Sequence, residues 1–308
     1  MSRITVGIPV WNGAPFLAEC IRSLRAQSRG SFRAIVSVDL SSDDSVAVAE
    51  RAAMGDARFS IVTHRRRLGW VDNANFLREC AGSEWFCVLP QDDLLAPRYF
   101  ELLLEAASCS PAASVVYADL EIFGPESWVM EQESLRGPAA DRALRFVGHH
   151  FDAVAYRGLV RGPLARRHRL EDAAAGGFAA DTLWLLDLAT EGELVRVPAV
   201  AYRKRVHGRS MVARWKRWRP EEARDAWIRH CVACGRRLLR QAWAAPRRGE
   251  LVAALEDRLL QRRAPLWPAV APPADAGEDA SAAWREALLR DFHRSLAPEI
   301  APAGESAA

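Results

Sequence analysis

Apolar side chains alternate through Ile4, Val6, Ile8 and Val10, the period of a strand. This spacing predicts a strand over 3–10, after which Asn12 can cap a helix that has Pro15 near its first turn. Phe16, Leu17, Cys20, Ile21 and Leu24 fall on one face of that helix. A second strand is predicted over 33–39, and SSDDS behind it suits a helix start, with Val46, Ala49 and Ala53 continuing the helix. Residues 59–63 read as a short third strand, and a third helix runs from Asn73 with Phe76, Leu77 and Cys80 inward. WFCVL at 85–89 is a nearly unbroken apolar run, as a central buried strand requires. A helix over 97–107 then precedes a fifth strand at 114–123.

Strands alternating with helices predict an α/β fold, with a mostly parallel sheet and helices on both faces. Such sheets bind ligands beyond the carboxyl ends of their strands. The polar residues gather at those ends: WN after the first strand, DLSSDD after the second and PQDD after the fourth.

From 124 to 214 the pattern loosens, keeping one helix at 181–190 and one strand-like run at 194–206. The character changes again at Trp215, with dense arginine and six of the eleven tryptophans. Trp227, Ile228, Cys231, Val232, Leu238, Leu239 and Trp243 share a helical face, and Trp284, Leu288, Leu289, Phe292 and Leu296 make a last amphipathic helix. Residues 264–282, rich in Pro and Ala, read as a linker or extended arm. The expected division is a sheet domain over 1–214 and a Trp/Arg-rich helical C-terminal extension over 215–308.

Composition narrows the function. With 308 residues, half of them apolar, the chain can bury a large core. Its formal net charge of +3 gives no electrostatic case for nucleic acid. The six scattered cysteines look like reduced thiols rather than a disulfide framework, and no apolar run is long enough to span a membrane. A soluble cytoplasmic protein is expected. No GxGxxG, Walker or G-x-S-x-G signature is present, and the CVAC at 231–234 lacks a second pair for zinc.

Asp39 ends a strand, where a carboxylate can accept hydrogen bonds from a nucleotide or can serve a turn. Asp92 and Asp93 follow the most buried strand. Adjacent acids there suit a divalent cation, Mg²⁺ or Mn²⁺, carrying a diphosphate; a solvated loop before a helix is the plainer alternative. Asp181 opens the apolar helix after AAAGGFAA, as a helix cap or as a general base. His207 closes a strand among Arg203, Lys204, Arg205 and Arg209, which can face phosphates or solvent.

Taken in order, these segments resemble the family 2 glycosyltransferases with the GT-A fold. Pro9, Val10, Trp11 and Asn12 are similar to the family's P-x-(aromatic)-N ending of the first strand. VDLSSDDS resembles its V-D-D-G-S-x-D segment: Asp39 stands at the base-contacting acid, while Leu40 and Ser41 depart from the pattern. Gly69, Asn73 and Asn75 match its G-x-x-x-A/N-x-N helix. Asp92, Asp93 and Pro97 match its metal motif L-D-x-D-D-x-x-x-P, in which Pro90 replaces the first acid. YRGLVRGPL resembles a segment before the acceptor site, and GGFAADTLWLLDLATEG the stretch that carries the catalytic base, placing it at Asp181. VRVPAVAYRKRVHGRS resembles a strand ending in Y-R-x-H and a serine, which His207 and Ser210 fit.

The resemblance spans about residues 3 to 212. It implies inverting, metal-dependent transfer of a sugar from a nucleotide-diphosphate donor to an acceptor hydroxyl on a glycan, lipid-linked sugar or small molecule. Pro9, Trp11, Asn12, Asp39, Asn73 and Asp92 would then bind the donor, Asp92, Asp93 and His207 the cation, and Asp181 would be the base. Two alternatives remain: a binding or scaffold module on the same fold, prompted by Pro90 and Leu40, and a nucleotidyltransferase, disfavoured by the lack of a Gly- and Lys-rich first loop. Arg214, Lys216, Arg217 and Arg219 interleave with Trp215 and Trp218, suiting either a peripheral membrane contact or packing of the helices within the protein. Packing is the preferred reading, and a homodimer interface is a further use of the region.

Overall fold

A computed structural model describes residues 3–150, 152–174, 176–261 and 277–300 of the chain. In chain order it forms β1 (Ile4–Val10), α1 (Ala14–Arg25), β2 (Phe32–Val38), α2 (Ser45–Ala53), β3 (Phe59–Thr63), α3 (Trp70–Glu79), β4 (Trp85–Val88), β5 (Leu94–Leu95), α4 (Tyr99–Ser108), β6 (Ala113–Phe123) and β7 (Trp128–Met130). There follow α5 (Ala139–His149), a 3-10 turn at Val154–Arg157, β8 (Leu159–Arg161), α6 (Gly162–Arg167), α7 (Ala180–Glu191) and β9 (Glu193–Arg205). The last elements are α8 (Met211–Trp215), α9 (Pro220–Leu239), a 3-10 turn at Ala242–Arg247, α10 (Arg248–Leu260) and α11 (Glu278–Ile300).

Two compact units share these elements, and they interleave in sequence. One holds the chain to Arg136 with Ala153–Glu171 and Glu191–His207; the other holds Gly137–Asp152, Asp172–Thr190 and the chain from Gly208. This differs from the single boundary expected at 214, because α5 and most of α7 cluster with the later helices.

The first unit is built on one sheet in the order β3-β2-β1-β4-β8-β6-β9-β5, with β7 on the flank of β6. The half from β3 to β4 is wholly parallel and β6 runs parallel to β9, so most of the paired length is parallel; the antiparallel links join short strands. Ile4, Val6, Ile8 and Val10 of β1 and Trp85–Val88 of β4 are buried, as their apolar runs require of central strands. Parallel registry brings the carboxyl ends of β1 and β2 level: Val10 pairs Val38, and the Asp39 N–H donates to the Val10 carbonyl at 2.8 Å.

Two helix starts differ from expectation. Gly13, not Asn12, caps α1, because Asn12 takes a left-handed backbone with φ 48°. Helix α3 begins at Trp70, three residues before Asn73, behind Gly69 at φ 81°, a conformation that glycine adopts freely.

The second unit is helical. Its core includes Leu183, Trp184 and Leu186 of α7, Cys231, Cys234 and Leu238 of α9, Leu255 of α10, and Leu288, Phe292 and Leu296 of α11. Trp243 leaves the face expected of it, since α9 ends at Leu239 and Trp243 lies in the following 3-10 turn. Residues 264–276 of the expected linker lie outside the described residues, and 278–282 are already helical. Among the described residues no helix is long and apolar enough to cross a membrane.

Candidate active site

The loops after β1, β2 and β4 are fastened to one another by side chains. Asn12 donates its backbone N–H to Ser41 Oγ at 3.0 Å and accepts the Ser42 N–H on Oδ1 at 2.8 Å, joining the first two loops. Asp43 accepts the Ala14 N–H at 3.0 Å, and the Gly13 N–H donates to Ser45 Oγ at 2.8 Å. Gln91 ties in the third loop: its Oε1 accepts the Trp11 N–H at 2.8 Å, and its Nε2 donates to the Trp11 carbonyl at 3.1 Å. A Cβ on Gly13 would lie 2.2 Å from Gln91 Oε1, so this grip requires glycine at 13. Pro9, half-buried, lies within β1 opposite Ser37, one residue before the strand end.

Trp11 holds its ring in the open, 42% exposed, with the Arg67 guanidinium 4.1 Å from the ring centre. Arg67 also ion-pairs with Asp39. Asp39 is only 1% exposed, and both its oxygens are engaged. Oδ1 accepts the Leu40 and Leu68 N–H groups, each at 2.8 Å, and Oδ2 accepts the Gly69 N–H at 2.9 Å. The carboxylate expected to meet a base also organises the 67–69 loop, and its partner Arg67 lies beside the Trp11 face. Asn73 sits behind that loop, donating Nδ2–H to the Ser37 carbonyl at 3.0 Å. Its buried Oδ1 has no hydrogen-bond partner.

Asp92 and Asp93 part company at the end of β4. Asp93 is buried, and its carboxylate is spent on the protein: Oδ2 accepts from Arg157 Nε at 3.2 Å and Tyr202 OH at 2.9 Å, and Oδ1 from the Arg205 N–H at 3.0 Å. Burial pushes its pKa up, reinforced by the Asp92 charge and opposed by Arg157 and Lys204. Asp93, expected as a cation ligand, is buried with three hydrogen bonds from the protein on its two oxygens.

Asp92 instead faces His207, Oδ2 to Nε2 at 2.8 Å, with the two side chains 18% and 19% exposed. The His207 ring lies 4.6 Å from the Phe16 ring, and Arg205 Nε donates to the Asp92 carbonyl at 3.1 Å. Among the described residues no cluster of three or more His, Cys, Asp or Glu could hold a metal. A carboxylate and an imidazole do fit a hard cation that brings oxygens of its own, since Mg²⁺ is commonly held by one or two carboxylates plus substrate phosphates. Arg67, Gln91, Arg157 and Tyr202 carry no role in the sequence reading; Gln91 lies inside PQDD, Arg157 inside YRGLVRGPL and Tyr202 inside VRVPAVAYRKRVHGRS, so only Arg67 lies outside the segments singled out.

Asp181 belongs to the second unit, in the first turn of α7, where its Oδ1 accepts the Thr182 N–H at 2.9 Å. Three of the four residues at 176–179 are left-handed: Gly176 at φ 63°, Gly177 at 72° and Ala179 at 55°. For a non-glycine residue such a conformation costs about 1–3 kcal/mol and persists only where the surroundings enforce it. Phe178 supplies the enforcement. Its buried ring meets Trp215 and Trp218 at 5.4 Å each and Trp227 and His230 at 6.4 Å each. Aromatic pairs contribute about 0.5–1.5 kcal/mol each beyond area burial, enough together to offset the strain. Trp215 and Trp218 thus pack inside this unit, as the packing reading expects. Ser210 caps α8, accepting the Ala213 N–H at 3.2 Å.

The sequence profile of the family described as "Glycosyl transferase family 2" matches residues 5–166, more than half of the chain. The chain belongs to glycosyl transferase family 2. The matched stretch carries Pro9, Trp11, Asn12, Asp39, Arg67, Asn73, Gln91, Asp92, Asp93 and Arg157, and leaves out Tyr202, Arg205 and His207. The family member is 30% identical over 105 residues to the putative glycosyltransferase EpsH of Bacillus subtilis, covering 34% of this chain and 30% of EpsH. It spans less than a third of the length of the first curated relatives it matches.

Among solved structures, S. aureus TarS 1–349 superposes with a TM-score of 0.69 at 12% identity, covering 97% of this chain and 82% of that one. The same TarS fragment with UDP-GlcNAc gives 0.60 at 12% identity, covering 97% and 88%. The mannosyltransferase PcManGT of Pyrobaculum calidifontis, with GDP-Man and Mn²⁺, gives 0.53 at 16% identity, covering 96% and 84%. At these identities the likeness shows the fold, which is GT-A-like with a helical C-terminal region.

Proposed function

We propose that this family member is an inverting, metal-dependent glycosyltransferase that moves a sugar from a nucleoside-diphosphate donor to an acceptor hydroxyl, in polysaccharide or glycoconjugate synthesis. The observation that carries the reading is the half-open Asp92–His207 pair at the end of the most buried strand, beside loops laced to an exposed tryptophan. The neighbours with UDP-GlcNAc and with GDP-Man and Mn²⁺ support the donor class and leave the base open.

Asp92 and His207 would hold the divalent cation; when bound, it neutralises charge that grows on the leaving diphosphate. Trp11 offers a ring face to the nucleotide base. Arg67 supplies a cationic donor beside it, held there by Asp39. Asp93, through Arg157, Tyr202 and the Arg205 amide, keeps the end of β9 in register with the Asp92 loop, which holds His207 near Asp92. Asp181 takes the proton of the acceptor hydroxyl as it attacks the anomeric carbon.

Turnover of UDP- and GDP-sugars by the purified chain with Mn²⁺ tests this. Asp181→Asn should lower kcat by about 10²–10⁴-fold, the range of a positioned base, while calorimetric nucleotide affinity stays within about twofold. Near-native turnover in that variant would sink the base assignment. Nucleotide binding without turnover in the native chain would favour the binding-module alternative.

A further inference from the structure

The C-terminal helices have no role in the reading above, and the aromatic cluster gives them one. Helix α7 is pinned at its far end from within its own unit. Arg142 donates Nε–H to the Ala189 carbonyl at 2.7 Å and Nη2–H to the Thr190 carbonyl at 3.0 Å, and Arg237 ion-pairs with Asp187. Its near end is set by the left-handed turn at 176–179, in which the Ala180 N–H donates to the Gly177 carbonyl at 3.3 Å and the Leu183 N–H to the Ala179 carbonyl at 3.1 Å. That turn has one large buried side chain, Phe178, three residues before Asp181. Trp215, Trp218, Trp227 and His230, which surround it, come from the stretch between Trp215 and His230. Trp218 also backs the turn itself, since a Cβ on Gly176 would sit 3.6 Å from its ring.

We propose that Phe178 is a positioning residue for Asp181, and that the stretch from Trp215 on α8 to His230 midway along α9 serves the reaction by caging its ring. The proposal rests on Asp181 being the base. A carboxylate in the first turn of a helix moves with that turn, and displacement of a reacting group by about 1 Å can cost about 10²-fold in rate. Donor affinity should be untouched, because the residues assigned to donor and cation lie on other segments. The cage therefore acts on kcat alone.

The test uses the full chain, with kcat, nucleotide Kd and circular dichroism measured on each variant. Phe178→Ala should lower kcat about 10²-fold with Kd within about twofold. Trp218→Ala, at a half-buried ring, should cost a smaller factor, about tenfold, and Trp218→Phe should restore most of it. In an Asp181→Asn background Phe178→Ala should cost less than about twofold more, because the group being positioned is gone. Equal losses in both backgrounds, or a folded Phe178→Ala or Trp218→Ala chain with native kcat, overturn the cage. If Phe178→Ala does not fold, the Trp218 pair decides. Native kcat in Asp181→Asn itself overturns the base assignment first and takes the cage with it, whereas an inactive Asp181→Asn beside a native Trp218→Ala overturns the cage alone.

Discussion

The loops of the first unit and the turn before α7 solve one problem, holding a carboxylate still, by opposite means. Asp39 and Asp93 are fixed by hydrogen bonds from backbone amides, guanidinium groups and a tyrosine hydroxyl. Asp181 follows a strained turn steadied by rings that carry no charge. Polar fixing depends on particular atoms and fails abruptly when one is removed. Aromatic fixing depends on volume and fails by degrees. The contrast teaches that the two units should respond differently to substitution and to pH.

The largest effect is expected where polar fixing is deepest. Asp93→Ala strands the Arg157 guanidinium and the Tyr202 hydroxyl in the core, and breaking a buried pair by removing one partner costs about 3–5 kcal/mol. Urea unfolding measures it, and a loss below about 1 kcal/mol would show that the Asp93 network is not structural. Next is Asp92→Ala, which keeps the fold but removes the carboxylate of the half-buried Asp92–His207 pair. UDP or GDP titrated in Mn²⁺ should bind about 10–100-fold more weakly, and unchanged affinity would remove Asp92 from the cation site.

The aromatic unit is tested by pH. Burial, with Arg258 and Arg237 nearby, depresses the His230 imidazole to about 3. Its ordinary value is about 6.5, so below that pH the unfolded chain takes up a proton that the folded chain refuses. Stability should therefore fall as pH drops from about 6.5 toward 3, by about 1.4 kcal/mol per pH unit from this group. Melting curves at pH 7.5 and 5 should show a steeper fall for the native chain than for His230→Gln. Equal slopes would mean that His230 protonates in place.

The first unit was largely legible in the sequence, because strand runs end in polar segments and parallel registry brings those ends level. What sequence reasoning missed there are atoms that answer one another across loops. Asp92 and Asp93 are chemically alike, and only the fold turns one toward His207 and the other toward Arg157. Helix α3 starts early because a left-handed glycine served as its cap, where a Ser, Thr, Asp or Asn was sought. In the second unit α5 went unseen because its stripe is broken by Arg142, a buried cation that donates to the end of α7. The aromatic residues were visible, but nothing in their spacing announces that four rings meet at Phe178.

Gln91 sits one residue before Asp92 and clasps both backbone groups of Trp11. The Asp92 loop and the Trp11 loop are thus tied into one piece rather than two. On the proposed reading, a cation that drew Asp92 would also shift the tryptophan, and a base on the tryptophan would shift Asp92. Each ligand would then alter the affinity of the other by the same factor, so order of loading would be a kinetic choice and not a thermodynamic one.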